Sequence, residues 1–192
     1  MTQRIGILGG TFDPVHVGHL VLAACARDQL QTDRFLLIPN AHSPLKAAAP
    51  VAEFADRLHM LRLAIAGTDG LEASDLEGQR GGTSYTIDTL RALSPQNPGG
   101  EFFLVLGSDA LAEFSTWKDH EGVLALAQLA AARRGAEASI TDSRLGQSIQ
   151  MPRLDVSSTL LRQRVAAGET IDFLTPPPVA AFIRARGLYL RP

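Results

Sequence analysis

The sequence predicts an α/β fold, a parallel sheet with helices on both faces and a small C-terminal helical segment. Three observations carry that expectation. Short apolar runs alternate with stretches of helical periodicity along most of the 192 residues, the pattern of linked β-α-β units. A glycine-rich turn joins the first run directly to a helix-like stretch. Hydrophobic residues make up 45% of the chain and charged ones 20%, enough to bury a real core.

Taken in order, Ile5-Gly6-Ile7-Leu8 reads as a short buried strand, and residues 18–30 are apolar enough for a packed helix. Residues 34–39 form a second strand, and Phe54, Leu58, Leu61 and Ile65 recur at helical spacing. A third strand is predicted over 71–76, a helix over 86–93 and a buried strand over 102–106, ended by Gly107-Ser108-Asp109. Residues 111–126 are helical in pattern with an interruption at Ser115-Thr116-Trp117, and 128–132 suit a fifth strand. Residues 135–147 are polar and small, which predicts a surface loop, and strand character returns at 149–156. Ser157-Ser158-Thr159 supplies N-cap residues for a helix that Gly168 can end. Pro176-Pro177-Pro178 opens a last helix, with Val179, Phe182 and Ile183 on one face and Gly187 as its stop. Packing is the simplest role for that tail.

Composition narrows the functions. A formal net charge of −2 gives no global field for a polyanion, so nucleic acid is not an expected partner and any anionic substrate needs a local basic cluster. No apolar stretch is long enough to span a bilayer, which argues against a membrane partner. One cysteine, Cys25, excludes an internal disulfide framework, and its apolar surroundings predict a buried side chain. Without a charged-then-apolar leader, the expected compartment is the cytoplasm.

The most informative stretch is Gly9-Gly10-Thr11-Phe12-Asp13-Pro14-Val15-His16-Val17-Gly18-His19. Glycines let backbone approach a ligand, and the free N–H groups of a helix's first turn attract anions. Thr11, His16 and His19 add donors, so the stretch predicts a phosphate site. It lacks the Gly-Lys-Ser/Thr ending of a P-loop and the glycine series of the dinucleotide fingerprint. A metal pair at His16 and His19 is the weaker alternative, because no carboxylate follows in the pattern of a zinc hydrolase. In open sheets of this type, ligands bind beyond the carboxyl ends of the strands where strand order reverses. The loops at 9–19, 40–46, 107–109 and 157–162 all fall there, so four loops are expected to meet one ligand.

The motif Gly-Gly-Thr-Phe-Asp-Pro-x-His-x-Gly-His, with Ser157-Ser158-Thr159-x-x-Arg162 late in the chain, resembles the nucleotidyltransferases with an H-x-G-H motif. Within them, Gly82-Thr83-Ser84-Tyr85-Thr86 with Asp88-Thr89-Leu90, Gly107-Ser108-Asp109, Trp117 and Gly187-Leu188-Tyr189 look like the bacterial nicotinate-nucleotide adenylyltransferases. The resemblance covers nearly the whole chain. It implies one Rossmann-like nucleotidyltransferase domain over 1–192, with about 157–192 as its helical segment. It further implies transfer of the adenylyl group of ATP to nicotinate mononucleotide with release of pyrophosphate, a step of NAD synthesis that requires Mg²⁺. No protein ligand for the metal is assigned.

By the same resemblance, Gly9, Gly10, Thr11, Phe12, His16 and His19 hold ATP, joined by Lys46, Gly107, Asp109, Ser158, Thr159 and Arg162. His16, His19 and Arg162 are the expected catalytic groups. Tyr85, Thr86, Trp117 and Lys118 are expected at the nicotinate nucleotide, with the Trp117 ring as a stacking platform and Lys118 as a rim charge for its carboxylate. The chain departs from the family at Ser43-Pro44-Leu45-Lys46, where Pro-Pro-His-Lys is usual, with His42 as a partial substitute. Arg133-Arg134-Gly135 lacks the usual proline, and which arginine takes that place stays open. Rival readings are adenylation of the amide nucleotide or of both, a pantetheine-phosphate adenylyltransferase, and a nucleotide sensor without turnover. Oligomeric state stays open too.

Overall fold

The computed structural model describes residues 2–44, 49–134 and 142–190. Lys46, Gly135 and most of the predicted 135–147 loop lie outside them. Six strands form one all-parallel sheet in the order β3-β2-β1-β4-β5-β6. They are β1 (Arg4–Gly10), β2 (Arg34–Pro39), β3 (Leu71–Ala73), β4 (Glu101–Leu106), β5 (Ala127–Arg134) and β6 (Leu145–Met151). Strand order reverses between β1 and β4, which opens a crevice at their carboxyl ends.

Alternation along the strands divides the core in two. Phe35 and Leu37 of β2 join Leu8, Phe103 and Ala130 under α1 (Val17–Leu30), α2 (Phe54–Ile65), α7 (Ser158–Ala166) and α8 (Pro177–Arg186). Leu36 and Ile38 join Ile7, Leu104 and Leu129 under α4 (Thr86–Leu93), α5 (Ser108–Ala112) and α6 (His120–Leu126). Both faces are thus covered, as a parallel sheet requires. Among the described residues, no helix is long and apolar enough to cross a membrane.

Cys25, expected to be buried, is only partly so and packs against the first core. Two strand boundaries also need correction. Residues 74–76 are not strand: β3 stops at Ala73, and Leu76 opens a short helix, α3 (Leu76–Arg80). A five-residue helix shows too little periodicity to be told from a strand continuation. The last strand begins at Leu145, inside the predicted loop, and ends at Met151 rather than 156. It is an edge strand with Ile149 as its one fully buried residue, so small polar side chains can form it without an apolar signature.

Gly6 shows how tightly the first face is built. A Cβ there would lie 2.2 Å from the Phe35 ring, which is itself fully buried. Gly6→Ala is therefore expected to destabilise the fold by about 1–3 kcal/mol through overpacking. Urea unfolding at neutral pH measures it, and an unchanged midpoint would show that Phe35 has room to move.

Candidate active site

The junction after β1 is shaped by buried groups. The Phe12 ring packs in the core, with its backbone in the left-handed region at φ 50°, so the side chain faces inward rather than toward a ligand. Asp13 is 4% exposed, and its carboxylate accepts from two separate parts of the chain. Val51 N–H donates to Oδ2 at 2.8 Å, Ala52 N–H to Oδ1 at 3.1 Å, and the Tyr189 hydroxyl to Oδ1 at 2.8 Å. Arg57, 1% exposed, donates to the Thr11 carbonyl at 2.7 Å and the Ala52 carbonyl at 3.2 Å. Burial pulls its pKa below the ordinary arginine value, and the charge of Asp13 opposes that pull. Burial first, then the negative Asp13, pushes the Tyr189 phenol well above its usual range.

The C-terminal segment closes the same loop. The Thr175 hydroxyl donates to the Val15 carbonyl at 2.8 Å, and Val17 N–H donates to the Leu174 carbonyl at 3.0 Å. Ser158 Oγ donates to the Pro14 carbonyl at 2.8 Å, and Arg162 Nη1 to the Asp13 carbonyl at 2.7 Å. Packing alone, the simplest reading of the tail, leaves these contacts out.

His16 is the N-cap of α1, and its N–H donates to His19 Nδ1 at 3.3 Å. This is a capping box with an imidazole in the acceptor's place. An accepting Nδ1 puts the ring proton of His19 on Nε2. The two rings stack at 3.7 Å between centroids, and the edge of Phe12 supports His19 at 4.9 Å. Gly18 permits that stack, because a Cβ there would lie 3.1 Å from the His16 ring and 3.0 Å from Val156.

Two clefts open at the carboxyl ends of the strands. The larger, about 900 Å³, is lined by Thr11, Asp13, His16, His19, Asn40, His42, Ser43, Gly107, Asp109, Ser157, Ser158, Thr159 and Arg162, among others. The smaller, about 310 Å³, is lined by Gly9, Gly10, Glu77, Ser84, Tyr85, Thr86, Trp117 and Lys118, among others. Thr11, Asn40, Ser43 and Gly107 belong to both walls, so the clefts adjoin. The described parts of all four expected loops therefore meet at one mouth, and Arg162 shares it with both imidazoles. Gly9 and Gly10 stand on the smaller cleft rather than the larger one.

Local structure explains the rest of the placement. Ser157 caps α7 by accepting from Leu160 N–H at 3.1 Å, which aims the first turn of that helix at the larger cleft. Arg162 Nη2 donates to Thr159 Oγ1 at 3.2 Å, which orients the guanidinium along the same wall. Tyr85 is the N-cap of α4 and Thr86 its first residue. Trp117 is half-buried, tilted against Phe114 at 5.4 Å. Lys118 Nζ lies 3.0 Å from Asp88 and 4.4 Å from the centre of the Tyr85 ring, so its charge is shared within the protein. Asp109 is exposed on the larger cleft's rim.

Residues that sequence reasoning passed over include Asp13, Asn40, Arg57, Glu77 and Tyr189. Asn40 Nδ2 donates to Thr11 Oγ1 at 3.3 Å, fixing the hydroxyl at the wall between the clefts. Asp13 belongs to the glycine-rich motif itself. Arg57 lies in a run that periodicity assigns only to packing, and its burial carries no mark in a single sequence.

Comparison with known proteins gives consistent findings. Residues 7–164 match the family described as Cytidylyltransferase-like. The chain is 43% identical to the "Probable nicotinate-nucleotide adenylyltransferase" of Rhodopirellula baltica, over 96% of this chain and 92% of that protein. It is 44% identical to the protein of the same description from Roseiflexus sp. strain RS-1, over 96% and 97%. Among solved structures, Plasmodium falciparum nicotinic acid mononucleotide adenylyltransferase complexed with NaAD shares the fold, with a TM-score of 0.78 and 20% identity over 97% of each chain.

Two expected outcomes follow from the buried contacts. Tyr189→Phe strands an acceptor on Asp13 and should cost about 1–3 kcal/mol at neutral pH. The raised phenol pKa adds stability that is full below the ordinary tyrosine value of 10.0 and declines as pH rises above it. Wild-type stability should thus fall more steeply than that of Tyr189→Phe above pH 10, in paired urea titrations, and parallel profiles would refute the buried bond. Gly18→Ala gains roughly 0.5–1 kcal/mol of helix propensity but crowds His16. It should keep its melting temperature within a few degrees while turnover drops about tenfold to a hundredfold. Unchanged turnover would show that the stack tolerates displacement.

Proposed function

The chain belongs to the cytidylyltransferase-like family and, within it, to the nicotinate-nucleotide adenylyltransferases, and from that premise we propose the following reaction. It transfers the adenylyl group of ATP to nicotinate mononucleotide, forming nicotinate adenine dinucleotide and pyrophosphate in NAD biosynthesis. The observation that carries this reading is the pair of adjoining clefts meeting at Thr11, one rich in phosphate-binding groups and one walled by aromatic side chains. A reaction between two nucleotides needs such a pair, with the reacting phosphates at the shared wall.

The attacking group is a phosphate monoester with a second pKa near ~6, so at neutral pH it is already largely ionised and needs little help from a base. Its oxygen attacks the α-phosphorus of ATP as the bond to the pyrophosphate oxygen breaks. Catalysis then rests on alignment and on donors aimed where charge grows. His16, His19 and Arg162 serve there, with Nε2–H of His19 directed at the α-phosphate and the leaving oxygens. Ser158 and Thr159, at the start of α7, bind the outer phosphates through the first turn of that helix. Lys46 is read as a further cation of this set, and Gly107 and Asp109 as the wall at the adenosine. Gly9, Gly10 and Thr11 bring backbone and a hydroxyl close to the phosphates, and Phe12 contributes from behind by supporting His19.

In the smaller cleft, Trp117 offers a face to the pyridine ring, and the amides and hydroxyls of Tyr85 and Thr86 donate to its carboxylate. Lys118 adds positive potential at the rim through Tyr85. The whole chain, 1–192, works as one unit, because segment 157–192 supplies three of the phosphate contacts. The cytoplasm is its expected compartment.

Mg²⁺ is expected to arrive on ATP. Among the described residues, no three His, Cys, Asp or Glu side chains gather as a cage. Magnesium commonly keeps several waters and leans on substrate phosphates, so no protein ligand is assigned to it. Bound there, it neutralises phosphate charge.

Pyrophosphate release with ATP tests the reaction: nicotinate mononucleotide should support it, and nicotinamide mononucleotide or phosphopantetheine far less. ATP binding without release for any of them would contradict it. His19→Ala should lose about 2.7–4 kcal/mol of transition-state stabilisation, on the order of a hundredfold to a thousandfold in kcat, while remaining folded. A fully active or unfolded variant would remove His19 from the proposed role.

A further inference from the structure

Glu77 is a charged side chain that the mechanism above leaves without a task. It sits on α3, is 7% exposed and lines the smaller cleft together with Tyr85, Thr86 and Trp117. One carboxylate oxygen, Oε1, accepts from Thr89 Oγ1 at 2.6 Å. The other, Oε2, is buried and has no hydrogen-bond partner. The nearby Arg80 guanidinium reaches the Thr89 hydroxyl at 3.3 Å, and among the described residues Glu77 makes no ion pair. Among the described residues that line this cleft, the cation is Lys118, and it is matched by Asp88. A buried carboxylate with an open oxygen is costly unless something positive completes it.

The substrate of the proposed reaction brings such a group. Attachment of ribose to the ring nitrogen makes the pyridine of nicotinate mononucleotide a permanent cation, independent of pH. Its carboxylate takes the donors at the start of α4, and the ring carries the positive charge between that carboxylate and the ribose. We propose that Glu77 supplies the counter-charge for this pyridinium ring, so that the cleft selects charged pyridine nucleotides over their uncharged dihydropyridine counterparts. Trp117 adds to the selection, since an aromatic face also attracts a cation. The inference rests on the reaction proposed above and names the feature of the nucleotide that this side chain reads.

Glu77→Gln tests it, because the amide keeps an oxygen for Thr89 and removes the charge. Initial rates of pyrophosphate release are measured with ATP and either nicotinate mononucleotide or its dihydropyridine form, which keeps the carboxylate, ribose and phosphate. The expected result is a KM for the pyridinium nucleotide raised about tenfold, with its kcat and the KM for ATP retained. The KM for the dihydropyridine nucleotide should stay level or fall. Thr89→Val breaks the hydrogen bond but leaves the charge, and should preserve the preference for the pyridinium form. Equal changes for both nucleotides, no change, or a matching shift in Thr89→Val would overturn the proposal and make Glu77 a support for α4. A loss confined to nicotinamide mononucleotide would also overturn it, since Glu77 would then accept from an amide N–H. Absence of turnover by the wild-type protein with either nucleotide would instead defeat the underlying reaction, and this inference with it.

Discussion

Asp13 leaves water almost completely, and the donors that meet its two oxygens come from two distant points in the chain: the adjacent Val51 and Ala52, and Tyr189. A carboxylate in such a place is stable only while all of these hydrogen bonds hold. The loop after β1, the segment entering α2 and the C-terminal tail are therefore tied to one another. Arg57 ties them a second time through the carbonyls of Thr11 and Ala52. Arg162 extends the tie to α7 through the Asp13 carbonyl. The strain-prone left-handed backbone at Phe12 persists inside this frame, with its ring buried beneath His19.

That frame explains how a protein with a formal charge of −2 can present a phosphate mouth. Positive potential is gathered locally, from two imidazoles, one guanidinium and the first turns of α1 and α7, and each is aimed by a contact to the same loop. The smaller cleft has the opposite arrangement, with aromatic walls, a cation already matched by Asp88 and a buried carboxylate oxygen of Glu77 without a hydrogen-bond partner. The proposed phosphate chemistry and ring recognition thus fall on two sides of Thr11.

Much of this was legible in the sequence, and the reasons differ by element. The strand at Arg34–Pro39 and the helix at Thr86–Leu93 appear with the predicted bounds, because a short apolar run and a strong helical period are both local signals. The reversal of strand order placed four loops at one mouth, as expected for this topology. Helix α3 and the start of β6 were missed because five residues hold little periodicity and an edge strand needs few apolar ones. Glu77 was hidden for the same reason, since it lies on that short helix, one residue beyond the predicted strand. Asp13 and Tyr189 fall in the matched motifs without a role, and Arg57 in none, because their significance lies in contacts that bring residues 13, 52 and 189 together with Arg57, which a linear reading does not show. Phe12 belonged to the motif, yet its φ of 50° turns the ring away from the ligand side, something composition does not reveal.

The central claim is that the frame around Asp13 brings two nucleotide clefts to a common wall where phosphates react. A crystal structure with nicotinate mononucleotide and an ATP analogue whose bridging oxygen between the α- and β-phosphates is replaced by a methylene tests it most directly. The account predicts a mononucleotide phosphate oxygen about 3–3.5 Å from the α-phosphorus, beside Thr11 and His19, with the contacts of Asp13 intact. Phosphates bound far apart, or an α-phosphate facing away from Thr11, would contradict it.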